Sequence, residues 1–128
     1  MHHKHSLPRC LLALAISVSI GAPGLAAGKF RKLRDGEIKA TLAGMETTDG
    51  VHWAEQYMRD GSFKAFDMGK PISGKWYVRN GELCLHDAKQ KEPECKEVWA
   101  SGTKIEFRSP SSGMMAIEAV LQKQQPRK

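Results

Sequence analysis

Two histidines, His52 and His86, are the only imidazoles beyond the first five residues. Either could serve as a general base, but that chemistry also needs a placed nucleophile and an orienting acid. No serine lies in a Gly-x-Ser-x-Gly elbow. The spacing of the two histidines puts them together on neither a helix nor a hairpin, so both read as surface residues rather than as metal ligands. Carboxylates offer a second chemistry. Glu55 interrupts the apolar face of Val51, Trp53 and Tyr57, and Asp67 follows Phe63 and Ala65 in the same way. An acid at such a position lies at a barrel mouth, pairs with a cation, or forms half of a glycosidase-like pair. The alternative is a strand end emerging into solvent, since acids are seldom buried unpaired.

Aromatic residues suggest binding instead. Trp53, Trp76 and Trp99 fall in three separate apolar runs, with Tyr57, Tyr77, Phe63, Phe66 and Phe107 around them. The candidate binding residues are Trp99, Lys104 opposite it in the expected pairing, and Tyr77. A tryptophan beside a lysine on an outer strand face can hold a sugar ring, a peptide or a partner protein. The competing reading has Trp99 cover a disulfide from its own strand face. No catalytic residue, metal-ligand set or cofactor motif is assigned.

The compartment is read from the first residues. Lys4 and Arg9 precede an apolar run, Cys10–Ile20, and a helix-breaking Pro23 then leads into small residues ending at Ala26 and Ala27. Basic flank, short apolar core and small-residue exit are the parts of a secretory signal, with cleavage after Ala27 or Ala26. The run is too short to span a bilayer, so no membrane span is expected after cleavage. Cleavage leaves about 100 residues, which is one domain with a modest core. It removes two basic residues and no acid, so the net charge falls from +6 to +4. Lysines and acids are interspersed, which argues against nucleic acid, as does export. Cys10 leaves with the signal. Cys84 and Cys95 remain as an even pair, and a disulfide is expected in an oxidising compartment.

The elements that position these residues are short. Ile38 and Leu42 lie one turn apart before Gly44, which suits a helix over residues 36–43 capped by Asp35. A first strand ending at the turn 47–50 is the competing reading. From Val51 onward, period-two runs alternate with turn dipeptides. Asn80-Gly81 suits a two-residue type I′ hairpin, in which both positions have positive φ. That turn pairs Arg79 with Glu82, Val78 with Leu83, Tyr77 with Cys84, Trp76 with Leu85 and Lys75 with His86, and it gathers apolar residues on one face. Residues 87–94 read as a polar loop tied off by the disulfide. A second hairpin centred on Ser101-Gly102 sets Val98 opposite Ile105 and Trp99 opposite Lys104. A last strand over residues 114–121 puts Met115, Ile117 and Leu121 on one face, and residues 123–128 form a polar tail expected to fray. The sum is mainly β: an antiparallel meander of about seven strands in a small barrel or sandwich, with one short N-terminal helix. The domain is expected to span residues 28–122.

At Asp60-Gly61, Gly74-Lys75-Trp76, the run from Asn80 to Leu85 and the run from Cys95 to Trp99, the chain resembles an uncharacterised family of small exported bacterial β-proteins. That resemblance implies a fold and a compartment, and no activity. Val98 to Gly102 is also similar to a segment of exported β-barrel inhibitors of proteases and lysozymes, and this resemblance carries over no inhibitory residue. The sequence thus points to a periplasmic or secreted, non-enzymatic binding module whose partner is an extracytoplasmic protein or an envelope polymer. A hydrolase inhibitor and a small envelope hydrolase using Glu55 or Asp67 are the alternatives.

Overall fold

The computed structural model describes residues 28–110 and 113–128. The expected signal segment, residues 1–27, lies outside the described residues. The elements in chain order are β1 (Arg31–Lys32), α1 (Asp35–Leu42), β2 (Met45–Thr48), β3 (Trp53–Tyr57), β4 (Ser62–Asp67), β5 (Lys70–Arg79), β6 (Glu82–Asp87), β7 (Glu94–Ser101), β8 (Lys104–Arg108) and β9 (Ile117–Lys123).

Strands β2 to β9 pair antiparallel in sequence order, and β9 returns to pair with β2. The result is a closed up-and-down barrel of eight strands, with β1 added on the edge of β7. Closure removes the open edges that a meander of this length would otherwise expose. The sequence expectation of about seven strands omits β1 and β2. The helix expected over residues 36–43 and the competing strand that ends at the turn 47–50 are both present, in succession, as α1 and β2. Gly44 makes this possible: its φ of +79° ends the helix, and its N–H donates to the Tyr57 carbonyl to start β2.

Asp35 does not cap the helix as expected. The N-cap is Arg34, whose backbone N–H donates to the Glu37 carboxylate at 3.2 Å. Asp35 instead accepts the N–H of Gly81, which ties the helix start to the β5–β6 turn. Helix α1 packs on β2, β5 and β6, and its Ile38 and Leu42 are fully buried among Tyr57, Trp76, Leu83 and Val98. The helix therefore plugs one end of the barrel with two apolar side chains.

The β5–β6 hairpin has the expected register throughout, and Asn80 and Gly81 both have positive φ. The β7–β8 hairpin does not. Ser101 pairs with Lys104 and Trp99 with Glu106, so Lys104 is not opposite Trp99. The cause is the turn: only Gly102 has positive φ, the type II′ pattern with glycine first, and this centres the turn one residue later than expected. A one-residue shift of the centre moves every pairing by two, which preserves the faces. Val98, Ile105 and Phe107 stay inside, and Trp99 stays outside.

The last strand also differs. It begins at Ile117, and Ala119 and Leu121 face the core, whereas Met115 is 92% exposed. The polar tail folds back over the outer faces of β2 and β3. Gln56 donates to the Gln125 carbonyl, and the Arg127 guanidinium grips the buried Glu46 carboxylate at 2.8 and 2.9 Å. Gln56 and Gln122 also donate to Glu46. Burial alone would raise this acid, but Arg127 and the two amides outweigh burial and hold it at about 2.

Candidate functional site

Helix α1 closes the end of the barrel where the β3–β4, β5–β6 and β7–β8 turns lie. At the other end the barrel is open. There, the ends of β3 to β9 enclose a cavity of about 320 Å³. Its wall is largely apolar: Trp53, Ala65, Phe66, Ile72, Leu83, Leu85, Phe107 and Ile117. The strand period explains the lining. Trp53 and Glu55 of β3, Ala65 and Asp67 of β4, Leu83 and Leu85 of β6, and Glu94 and Lys96 of β7 occupy alternate, inward positions, whereas Phe66 lies at an intervening position, paired with Ala54.

Four ionisable side chains join that wall: Glu55 on β3, Asp67 on β4, and Glu94 and Lys96 on β7. Lys96 and Glu94 form an ion pair at 2.7 Å. Asp67 is exposed at the lip, and Glu55 lies deeper. The fully buried Tyr57 hydroxyl donates to Glu55 Oε2 at 2.7 Å and lies 2.8 Å from the Thr47 hydroxyl. Tyrosine has one hydroxyl proton and gives it to Glu55, so Thr47 must be the donor to Tyr57. Glu55 Oε1 meets no donor among the described residues and is left to the cavity. Burial raises the Glu55 carboxyl above its usual range. The Tyr57 hydroxyl and the nearby Lys96 charge pull it down by less, and Glu94 pushes it further up. A protonated Glu55 would carry its proton on Oε1, the oxygen not accepting from Tyr57.

Three of the four connections at this end carry an exposed apolar residue. Val51 in the β2–β3 loop is 82% exposed, Met68 in the β4–β5 turn is 72% exposed, and Met115 before β9 is the third.

The residues singled out from sequence divide between two places. Glu55 and Asp67, flagged because they interrupt apolar runs, both line the cavity. Trp99 and Tyr77 lie on the outer face; Tyr77 pairs with Cys84 of the disulfide that joins Cys84 and Cys95 directly across β6 and β7, whereas Trp99 is four residues beyond Cys95 on β7. Trp99 is half-buried. Its indole N–H donates to Glu97 at 3.1 Å, and the Arg108 guanidinium lies over its ring at 3.9 Å. Tyr77 has Arg79 over its ring at 5.7 Å. Lys104 is exposed at the far end of β8, paired with Ser101 and Val120, and the structure does not bring it to Trp99. His52 lies beside Asp49 at 2.8 Å, and the His86 ring lies 2.9 Å from the Gln90 carbonyl, so the two histidines serve separate turns. Neither Glu94 nor Lys96 is singled out from sequence: Glu94 falls in the stretch 87–94 that reads as loop, and Lys96 lies on the strand expected from Cys95. Their parity with Val98 was the available signal: two and four residues before a core position, on the same strand, they must face inward.

No family model, curated protein or solved structure matches the chain.

Proposed function

We propose that the protein is an exported binding module that holds a small ligand in the cavity at the open end of its barrel. One observation carries the reading: an apolar recess of about 320 Å³ into whose wall Glu55 is set, one carboxyl oxygen held by Tyr57 and the other, Oε1, meeting no donor among the described residues. Ligand sites are typically clefts of this order of size, mostly apolar, with a few placed polar groups. Plugging one end of the barrel with α1 and leaving the other open is the arrangement such a site requires. Export is supported by the signal-like composition of residues 1–27 and by the Cys84–Cys95 disulfide, since disulfides persist in oxidising compartments. A protein or envelope-polymer partner at Trp99 would have to displace Arg108 from the ring and compete with Glu97 for the indole N–H. The outer face is for that reason the weaker candidate.

The test is native mass spectrometry. Protein purified from the periplasm is incubated with the small-molecule fraction of an envelope extract. A 1:1 adduct should form, and Ala65→Phe, which fills the recess opposite Glu55, should abolish it while the variant still folds. An adduct of equal intensity in the filled variant would place the site elsewhere.

A second reading has one observation in its favour. Glu55, raised by burial, and Asp67, exposed at the lip, lie on adjacent strands in one cavity, an acid and a base in the manner of a glycosidase. Turnover of envelope oligosaccharides that vanishes in both Glu55→Gln and Asp67→Asn would favour that reading. A stable, unmodified adduct favours binding.

A further inference from the structure

We infer that the ligand of the cavity is a small apolar-bodied cation, an amphiphilic amine, whose ammonium group pairs with Glu55 while its hydrocarbon body runs outward along Trp53, Ile72 and Leu85. This rests on the reading of the cavity as a binding site. Three observations carry it. First, the wall holds three carboxyls and one ammonium, although the chain as a whole carries a net charge of +6. Second, the one ammonium is already matched: Lys96 is held by Glu94 at 2.7 Å. An incoming anion would have to break that pair and would meet Glu55 and Asp67 with nothing to offset them. Third, Glu55 Oε1, a carboxyl oxygen of the wall, meets no donor among the described residues. The Tyr57 hydroxyl fixes the orientation of that carboxyl through Oε2 and leaves Oε1 for a ligand.

The apolar features fit the rest of such a molecule. A cation seated at Glu55 shares the cavity with Trp53, two residues away on the same face of β3, and aromatic rings attract cations through the quadrupole of the ring. Val51, Met68 and Met115 are exposed in the connections at this end of the barrel. Methionine at a rim accommodates alkyl and aromatic bodies of differing shape. Burial disfavours the charged form of Glu55 in the empty cavity, and an arriving ammonium restores it by supplying the missing counter-ion.

The experiment compares three probes that share one tail: octylammonium, octanoate and octanol. Each is titrated calorimetrically into the protein purified from the periplasm, and then into Glu55→Gln. Octylammonium should bind at least tenfold more tightly than the other two, as a charge-assisted contact in an enclosed site implies. Glu55→Gln should weaken octylammonium by about tenfold or more and octanol by several-fold less, because only the ammonium loses a counter-charge. Tighter binding of octanoate or octanol, or an octylammonium affinity indifferent to Glu55→Gln, would overturn the assignment of a cationic ligand while leaving the cavity as a binding site. Failure of all three probes to bind would overturn both.

Discussion

Two glutamates show how the same side chain takes opposite roles at the scale of the residue. Glu46 is buried on the outer face of β2 under the returning tail, and Arg127, Gln122 and Gln56 hold it at about 2 against a usual 4.5. An acid whose native value is depressed contributes stability that is complete above its unfolded value and is lost as pH falls through its folded one. Here that window runs from about 4.5 down to about 2, and the contribution is about 3 kcal/mol. Denaturant midpoints measured between pH 6 and pH 2 should fall across this window in the native protein and fall less in Glu46→Gln. Glu55 has the reverse sign. Its native value is raised, so it costs stability as pH rises from the unfolded value through the folded one. Glu55→Gln should therefore gain on the native protein as pH rises above about 4.5; a constant difference over pH 4 to 8 would contradict a buried, undercompensated carboxyl. Trp99 and Trp76 make a second contrast. Trp76 is buried and donates its indole N–H to the Met58 carbonyl, so Trp76→Ala should cost about 3–5 kcal/mol. Trp99 lies outside under Arg108, and Trp99→Ala should cost well under half of that in the same unfolding measurement.

Each element is set by a few backbone requirements, and these decide how much the sequence disclosed. The β5–β6 hairpin was legible to the residue because Asn80-Gly81 suits one turn type and the side-chain pattern agreed with it. The β7–β8 hairpin was legible only as to face, since a single glycine is compatible with two turn centres. Strand β2 was obscured because a helix and a strand meet at one glycine with no linker between them. The anchoring of the tail had no sequence signal: it depends on Arg127 meeting an acid 81 residues earlier in the chain. At Gly74 in β5 a Cβ would collide with the His86 carbonyl oxygen and lie 2.7 Å from the Phe63 ring. Backbone cannot yield as a side chain can, so Gly74→Ala should destabilise by about 2 kcal/mol or more. Gly36 in α1 has nothing within 4 Å of such a Cβ, and Gly36→Ala should be neutral or stabilising by up to about 1 kcal/mol in the same thermal unfolding assay. The Cys84–Cys95 bridge joins directly opposed residues of β6 and β7. Protein taken from the periplasm should weigh two hydrogens less than its reduced form, and Cys84→Ser should lower stability by about 3 kcal/mol.

Taken whole, the molecule is an up-and-down barrel with unlike ends. Ile38 and Leu42 fill one, and the other keeps a recess whose wall changes from apolar to acidic. The sequence disclosed two members of that wall, Glu55 and Asp67, because each breaks an apolar run. It could not disclose that they face Lys96 and Glu94, because that depends on closure of β9 onto β2, a contact between the two ends of the chain. The outer-face residues Trp99 and Tyr77 attracted notice through residue type alone. Arginines reached from two positions along their own strands, Arg108 by way of Glu106's pairing with Trp99 and Arg79 beside Tyr77, cover their rings. The measurement that bears most directly on the cavity as the working site is a titration followed by tryptophan emission, since Trp53 lies in the wall. Octylammonium, octanoate and octanol are each added to the native protein and to Ala65→Phe. At least one probe should produce a saturable one-to-one change in the native protein, and Ala65→Phe should lose that change while unfolding cooperatively. Equal saturation in the filled variant, or no saturable change with any probe in the native protein, would contradict a ligand site inside the barrel.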